Sequence, residues 1–83
     1  MPTVATVDGV KIVFYANEHP PPHFHAKFAE HQAVIDIEKL QIIEGSLPAA
    51  KRKKVLIWAA SRQAELHAVF VTATALKPVG PIK

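Results

Sequence analysis

Two β-branched runs open the chain, Thr3 to Val7 and Val10 to Tyr15, with Asp8-Gly9 between them. Asp-Gly is a strong hairpin signal, because a type I′ turn needs positive φ at both central residues. A two-residue loop there sets Val7 opposite Val10, Ala5 opposite Ile12 and Thr3 opposite Phe14. Those six residues are expected on the core face, with Val4, Val13 and Tyr15 on the other. Asn17 to Pro22 holds three consecutive prolines, which lack backbone donors and favour an extended polyproline path, so it predicts a loop. In HFHAKF, Phe24, Ala26 and Phe28 alternate with His23, His25 and Lys27, the period of two that marks a half-buried strand over 22–29. In QAVIDI, Ala33, Ile35 and Ile37 repeat one parity and predict a strand over 32–37. Leu40 to Ile43 predicts one more short strand before Gly45 breaks the pattern.

Beyond Gly45 the period changes. Ser46 is a good helix N-cap, and Pro48 falls in the first turn, where its missing donor costs nothing. Nothing from there to about Ala75 breaks a helix, and Pro78 and Gly80 end it. At 100° per residue, Val55, Ala59, Leu66, Phe70 and Ala73 fall within about 60° of one another, flanked by Trp58 and Val69. That stripe predicts packing on the sheet. The expected architecture is a single domain over 1–83 of the α+β class. It is an antiparallel β-meander of four to five strands (3–43) packed against one long C-terminal helix (about 47–75), with an irregular tail over 77–83.

Composition narrows the function classes. At 83 residues the chain fits one domain with a thin core. It has no cysteine, so neither disulfides nor thiolate chemistry enter, and a reducing compartment fits. With no leader-like or membrane-spanning run, the expected location is cytoplasmic, away from membranes. The net charge of +3 hides an asymmetry. Met1 to Ser46 carries three Lys against six Asp/Glu, and Leu47 to Lys83 carries seven Lys/Arg against one Glu. Either the halves pair internally or a basic face awaits an acidic partner.

Candidate chemistry gathers at His19-Pro-Pro-Pro-His23-Phe-His25. A hairpin about Glu30-His31 pairs positions summing to 61, which sets His25 opposite Asp36 and His23 opposite Glu38, with Lys27 and Val34 on the same face. Cβ atoms of such pairs lie about 4.5–5.5 Å apart. A carboxylate fixes an imidazole's tautomer and stabilises its cation, so His23, His25 and Asp36 are candidates for acid–base catalysis, as in RNA cleavage. His-x-His on a strand also puts both rings on one face. His23 and His25 with His19 or a carboxylate are therefore an alternative site for a divalent metal such as zinc. The plain alternative is that these groups pair and keep a strand edge soluble.

Lys51-Arg52-Lys53-Lys54 opens the predicted helix, where cations oppose the macrodipole at about 0.3–1 kcal/mol each near the terminus. Such a conflict suits either a contact with phosphate or acidic protein, or pairing with Asp36, Glu38 or Glu44. Arg62 falls inside the apolar stripe. It either lies along the core edge or reaches a carboxylate or bound anion. Lys51, Arg52, Lys53, Lys54 and Arg62 are the candidate binding residues, and Trp58 is expected in the core.

The segments PTVATVDGVKIVFY, NEHPPPHFHAKF and AVIDIEKLQIIEGSLP, followed by a helix with Trp58 and Glu65-Leu66, resemble a family of small bacterial proteins, domain of unknown function 4160. The resemblance runs from Met1 to about Leu66, with PPHFH and EGSLP as its most specific parts. The resemblance implies one half of a two-gene module, beside another small family (domain of unknown function 2442), and hence a toxin–antitoxin-like pair. It singles out His23 and His25, then Asp36. The leading expectation is a binding component of such a pair that contacts a cognate small protein or RNA and needs no cofactor. The alternative is a histidine-dependent ribonuclease or metal-binding hydrolase built on His23, His25 and Asp36.

Overall fold

The computed structural model describes residues 3–15 and 18–74. Five strands form one antiparallel sheet in chain order: β1 (Thr3–Val7), β2 (Val10–Val13), β3 (His23–Phe28), β4 (His31–Asp36) and β5 (Gln41–Ser46). Two helices follow, α1 (Ala49–Ala60) and α2 (Gln63–Thr74). The α+β class and the meander hold; the single long helix does not. The predicted tail over 77–83 lies outside the described residues.

The Asp8-Gly9 turn forms as its sequence demands, with φ of 50° and 82°. Val7 pairs with Val10 and Ala5 with Ile12, but a bulge between Thr3 and Ala5 pairs Thr3 with Val13 instead of Phe14. The extra residue is Val4, which enters the core, contrary to the expected face. Phe24, Ala26, Ala33, Ile35 and Ile37 join it there with Val10, Ile12 and Phe14.

The β3–β4 hairpin turns at Ala29-Glu30, one residue earlier than predicted. Phe24 pairs with Ile35, Ala26 with Ala33 and Phe28 with His31, whose rings stack 6.5 Å apart. Beyond the strand ends, the Ile37 N–H donates to the Pro22 carbonyl at 3.0 Å and extends the same register. Ala29 takes a left-handed φ of 52°, so an alanine occupies a conformation that residue choice alone points to glycine or asparagine for. β5 runs on to Ser46 past a bulge opposite Val34/Ile35, so Gly45, paired with Ala33, does not end the strand. With φ of 75°, Gly45 also lies so close to the Gln32 carbonyl that a Cβ would collide with it.

Ser46 ends β5, and the N-cap of α1 is Pro48, whose carbonyl accepts from the Arg52 N–H at 2.9 Å. The predicted continuous helix breaks at Ser61-Arg62. The Ser61 hydroxyl and N–H both donate to the Trp58 carbonyl, and the Arg62 N–H donates to that of Ala59, a tightening to three-residue bonds. Serine competes with helix backbone in this way. Length also argues for a break: a helix over 47–75 would run about 43 Å at 1.5 Å per residue, past the molecule's longest dimension of 32 Å. The stripe survives the turn, and Val55, Ala59, Leu66, Phe70 and Ala73 are all buried. Trp58 is half-buried and meets Phe24 edge to face at 6.3 Å.

Two polar pins hold the helices to the sheet. The Gln63 amide donates to the carbonyls of Ile37 and Glu38 at 2.9 and 3.2 Å. Lys51 Nζ donates to the Asp8 carbonyl at 2.8 Å and to its carboxylate at 3.0 Å, with Lys54 at 3.6 Å from the same oxygen. The lysine hydrogen bond holds the Asp8 carboxyl below its ordinary 3.8, helped by the charges of Lys51 and Lys54 and opposed by desolvation.

Replacing Gly45 by alanine is expected to cost about 2 kcal/mol or more, from the left-handed φ and the collision with Gln32. Urea unfolding checks this, and an unchanged midpoint would contradict the close approach. The Asp8→Asn protein keeps a turn-compatible residue but loses the ion pair. Because the folded carboxyl has the lowered pKa, that pair stabilises above the unfolded value and is lost as pH falls through the folded one. The wild type should therefore exceed Asp8→Asn in stability at pH 7. The gap should close below the ordinary carboxylate range and shrink in high salt.

Candidate functional site

Alternation along β3 decides which side chains are free to do chemistry. Phe24 and Ala26 point into the core, so His23, His25 and Lys27 take the opposite parity. The predicted face holds but the partners shift by two. His23 lies across from Asp36, and His25 lies across from Val34 on one side and Val13 on the other. The expected pairs His25–Asp36 and His23–Glu38 do not form. Asp36 is buried, and its Oδ1 accepts the backbone N–H groups of Glu38 and Lys39, both at 2.8 Å. That carboxylate shapes the turn into β5.

The carboxylate that meets the histidines is Glu18, in the loop ahead of the prolines. His25 Nε2 is 2.7 Å from Glu18 Oε1, and His23 Nε2 is 3.4 Å from Oε2. The three side chains are largely sheltered, at 14%, 10% and 25% exposure for His25, His23 and Glu18. One ligand atom from each lies within 4.8 Å of the others. His19 is exposed and does not join this group.

The ring nitrogens carry further information. His23 Nδ1 is 2.7 Å from the Pro21 carbonyl, which can only accept, so Nδ1 bears a hydrogen. In a neutral ring Nε2 then presents a lone pair to the Glu18 carboxylate. His25 Nδ1 is buried without a hydrogen-bond partner, and only Nε2 of that ring is engaged. Aromatic neighbours fix both rings. Tyr15 meets His25 edge-on at 4.5 Å, Phe70 of α2 lies 5.4 Å from His23, and the two imidazoles are 5.4 Å apart.

The match to the family described as domain of unknown function (DUF4160) extends over residues 9–70, which include Glu18, His23 and His25. The chain belongs to this family. No curated protein and no solved structure matches it. In this DUF4160 chain the other sequence candidates stand apart from the histidines. Lys51 and Lys54 face Asp8, rather than the expected Asp36, Glu38 or Glu44. Arg52 and Lys53 are exposed and make no ion pair among the described residues. The Arg62 guanidinium lies 5.7 Å over the Trp58 ring and donates to Ser61 Oγ at 3.0 Å.

Two shallow cavities flank this frame. One, of about 300 Å³, borders His25 with Gln32, Val34, Glu44 and Gly45. The other, of about 380 Å³, lies between the β4–β5 turn and α2, lined by Ile37, Glu38, Gln63, Ala64 and His67. No helix among the described residues is long and apolar enough to cross a membrane.

Proposed function

We propose that this protein is a divalent-metal protein, with an ion of the zinc class held by Glu18, His23 and His25 and used for hydrolysis. The observation that carries the reading is the convergence of one ligand atom each from Glu18, His23 and His25 within 4.8 Å, with His23 Nδ1 held by the Pro21 carbonyl. The Nδ1–H of His23 is committed to that carbonyl, so in the neutral ring Nε2 presents a lone pair to a carboxylate oxygen 3.4 Å away. Two acceptors at that separation call for positive charge between them. A metal ion supplies it for all three groups at once, and a ligating histidine commonly donates its other N–H to a backbone carbonyl, as His23 does. Two imidazoles and one carboxylate form the ligand set of catalytic zinc and of non-haem iron, with positions left for water and substrate. An ion there would lower the pKa of bound water and polarise a substrate oxygen. Asp36 takes no ligand role in this reading; it braces the strand opposite His23.

A second reading keeps the expected toxin–antitoxin-like role, in which the protein contacts a partner protein or RNA. The outward side of α1 favours it, where Arg52, Lys53 and an Ile57 that is 63% exposed lie within two turns.

For the metal reading, untagged protein titrated with zinc should bind one ion. Glu18→Gln and His23→Gln should each weaken binding by about tenfold or more. The imidazole nitrogen resonances of His23 and His25 should move with the ion. No uptake, with both rings unchanged, would overturn the reading in favour of an imidazolium–carboxylate cluster. For the second reading, capture from the native host should recover one defined partner, and Arg52→Glu/Lys53→Glu should release it. Retention by the charge-reversed protein would overturn the contact through α1.

A further inference from the structure

Lys11 and Lys27 lie directly opposite each other on β2 and β3, on the sheet face that carries His25. Like charges in that position are destabilising. Their row across the sheet continues through Thr6, Gln32 and Ser46, none of them acidic. Neither lysine makes an ion pair among the described residues. The Lys27 ammonium instead leans over the Tyr15 ring, 5.2 Å from its centroid, and the same ring meets His25. Two lysines thus share one register position on the face of the candidate metal centre, with no ion-pair partner among the described residues.

The 300 Å³ cavity lies on the same face and shares His25 as a wall. Gln32, paired with Lys27, lines it and supplies an amide donor. Glu44, paired with Val34, lines it too and can only accept when ionised. Neither lysine lines the cavity itself, but Lys27 is paired with Gln32 at its edge, so the lysines and the Gln32 amide suit an oxyanion beside His25, and the Glu44 carboxylate suits a hydroxyl.

We infer that this face binds a phosphate ester of a polyhydroxyl group, with ribose phosphate as the fitting class. The phosphate lies between Lys27, Lys11 and the ion at His25, and a sugar hydroxyl donates to Glu44. The inference rests on the metal reading and names its ligand. The same chemistry is presented by a free ribonucleotide and by the backbone of single-stranded RNA.

The test titrates the zinc-loaded protein with inorganic phosphate, a ribonucleoside monophosphate, its deoxy counterpart and a short single-stranded RNA, followed by amide resonances. Lys11, Lys27, Gln32 and Glu44 should respond to the ribonucleotide or to the RNA, whichever is the source, and more strongly than to inorganic phosphate. Lys27→Gln should weaken that binding about tenfold or more, as loss of a charge-assisted hydrogen bond does. It should leave zinc affinity unchanged and should not lower the urea midpoint, since it relieves the contact with Lys11. A lysine kept only for folding would give the opposite pair of results. Zinc uptake with no response to any phosphate ligand, or with binding indifferent to Lys27→Gln, overturns this inference alone. Absence of zinc uptake overturns the metal reading and this inference with it.

Discussion

Phe24 faces Ile35 across the central hairpin, and every other placement follows from the parity that this contact sets. Both side chains are fully buried, and burial of each contributes about 1.5–3 kcal/mol. With them inside, Ala26 and Ala33 join the same buried cluster as Val55, Ala59 and Leu66 of the helices. The intervening residues take the opposite parity, although His23, at the start of β3, is itself buried and meets Phe70 of α2. His23, His25 and Lys27 therefore share the other face because their apolar neighbours cannot leave this one. A slip of one residue in β3 would expose Phe24 and Ala26 and bury a lysine, which the core energy forbids.

The same reasoning separates what could be read from residue order and what could not. A slip of two residues leaves every side chain on its own face. Pairing Phe24 with Ile37 or with Ile35 buries nearly the same apolar area, so hydrophobic alternation cannot choose between them. The choice falls to the turn, where Ala29 adopts a left-handed φ that its side chain does not advertise. The hairpin at Asp8-Gly9 carries its own turn signal and was legible. The faces of β3 and β4 and the five buried helix positions were legible too. The partners of His23 and His25 were not. Glu18 precedes them by five and seven positions, through a proline run whose path periodicity cannot trace; a carboxylate abutting a proline-spaced histidine cluster was the available signal. The helix break is not legible in residue order, because Ser61 and Arg62 are acceptable within a helix. Only the sheet below, through Gln63 and the carbonyls of Ile37 and Glu38, shows why the chain turns there.

Two clusters of positive charge conflict with the local rules, and the fold treats them differently. At the start of α1 the lysines oppose the helix dipole, but Lys51 and Lys54 reach the Asp8 turn and hold its carboxylate ionised. The conflict there is settled within the protein, and it fastens α1 to the β1–β2 hairpin. On the sheet, Lys11 and Lys27 face each other in a row without a carboxylate, and among the described residues the ammonium of Lys27 meets an aromatic ring and no ion-pair partner. A cation–π contact at a site of this exposure is worth about 0.5–1 kcal/mol, and the repulsion of directly opposed charges is of the same order. Nothing in the core requires lysine at either position, since both point away from it. The lysine charge lies beside His25, where Glu18 and two imidazoles converge, so neighbouring groups on one face make demands of opposite sign: a cation suits the three ligands and an anion suits the lysines.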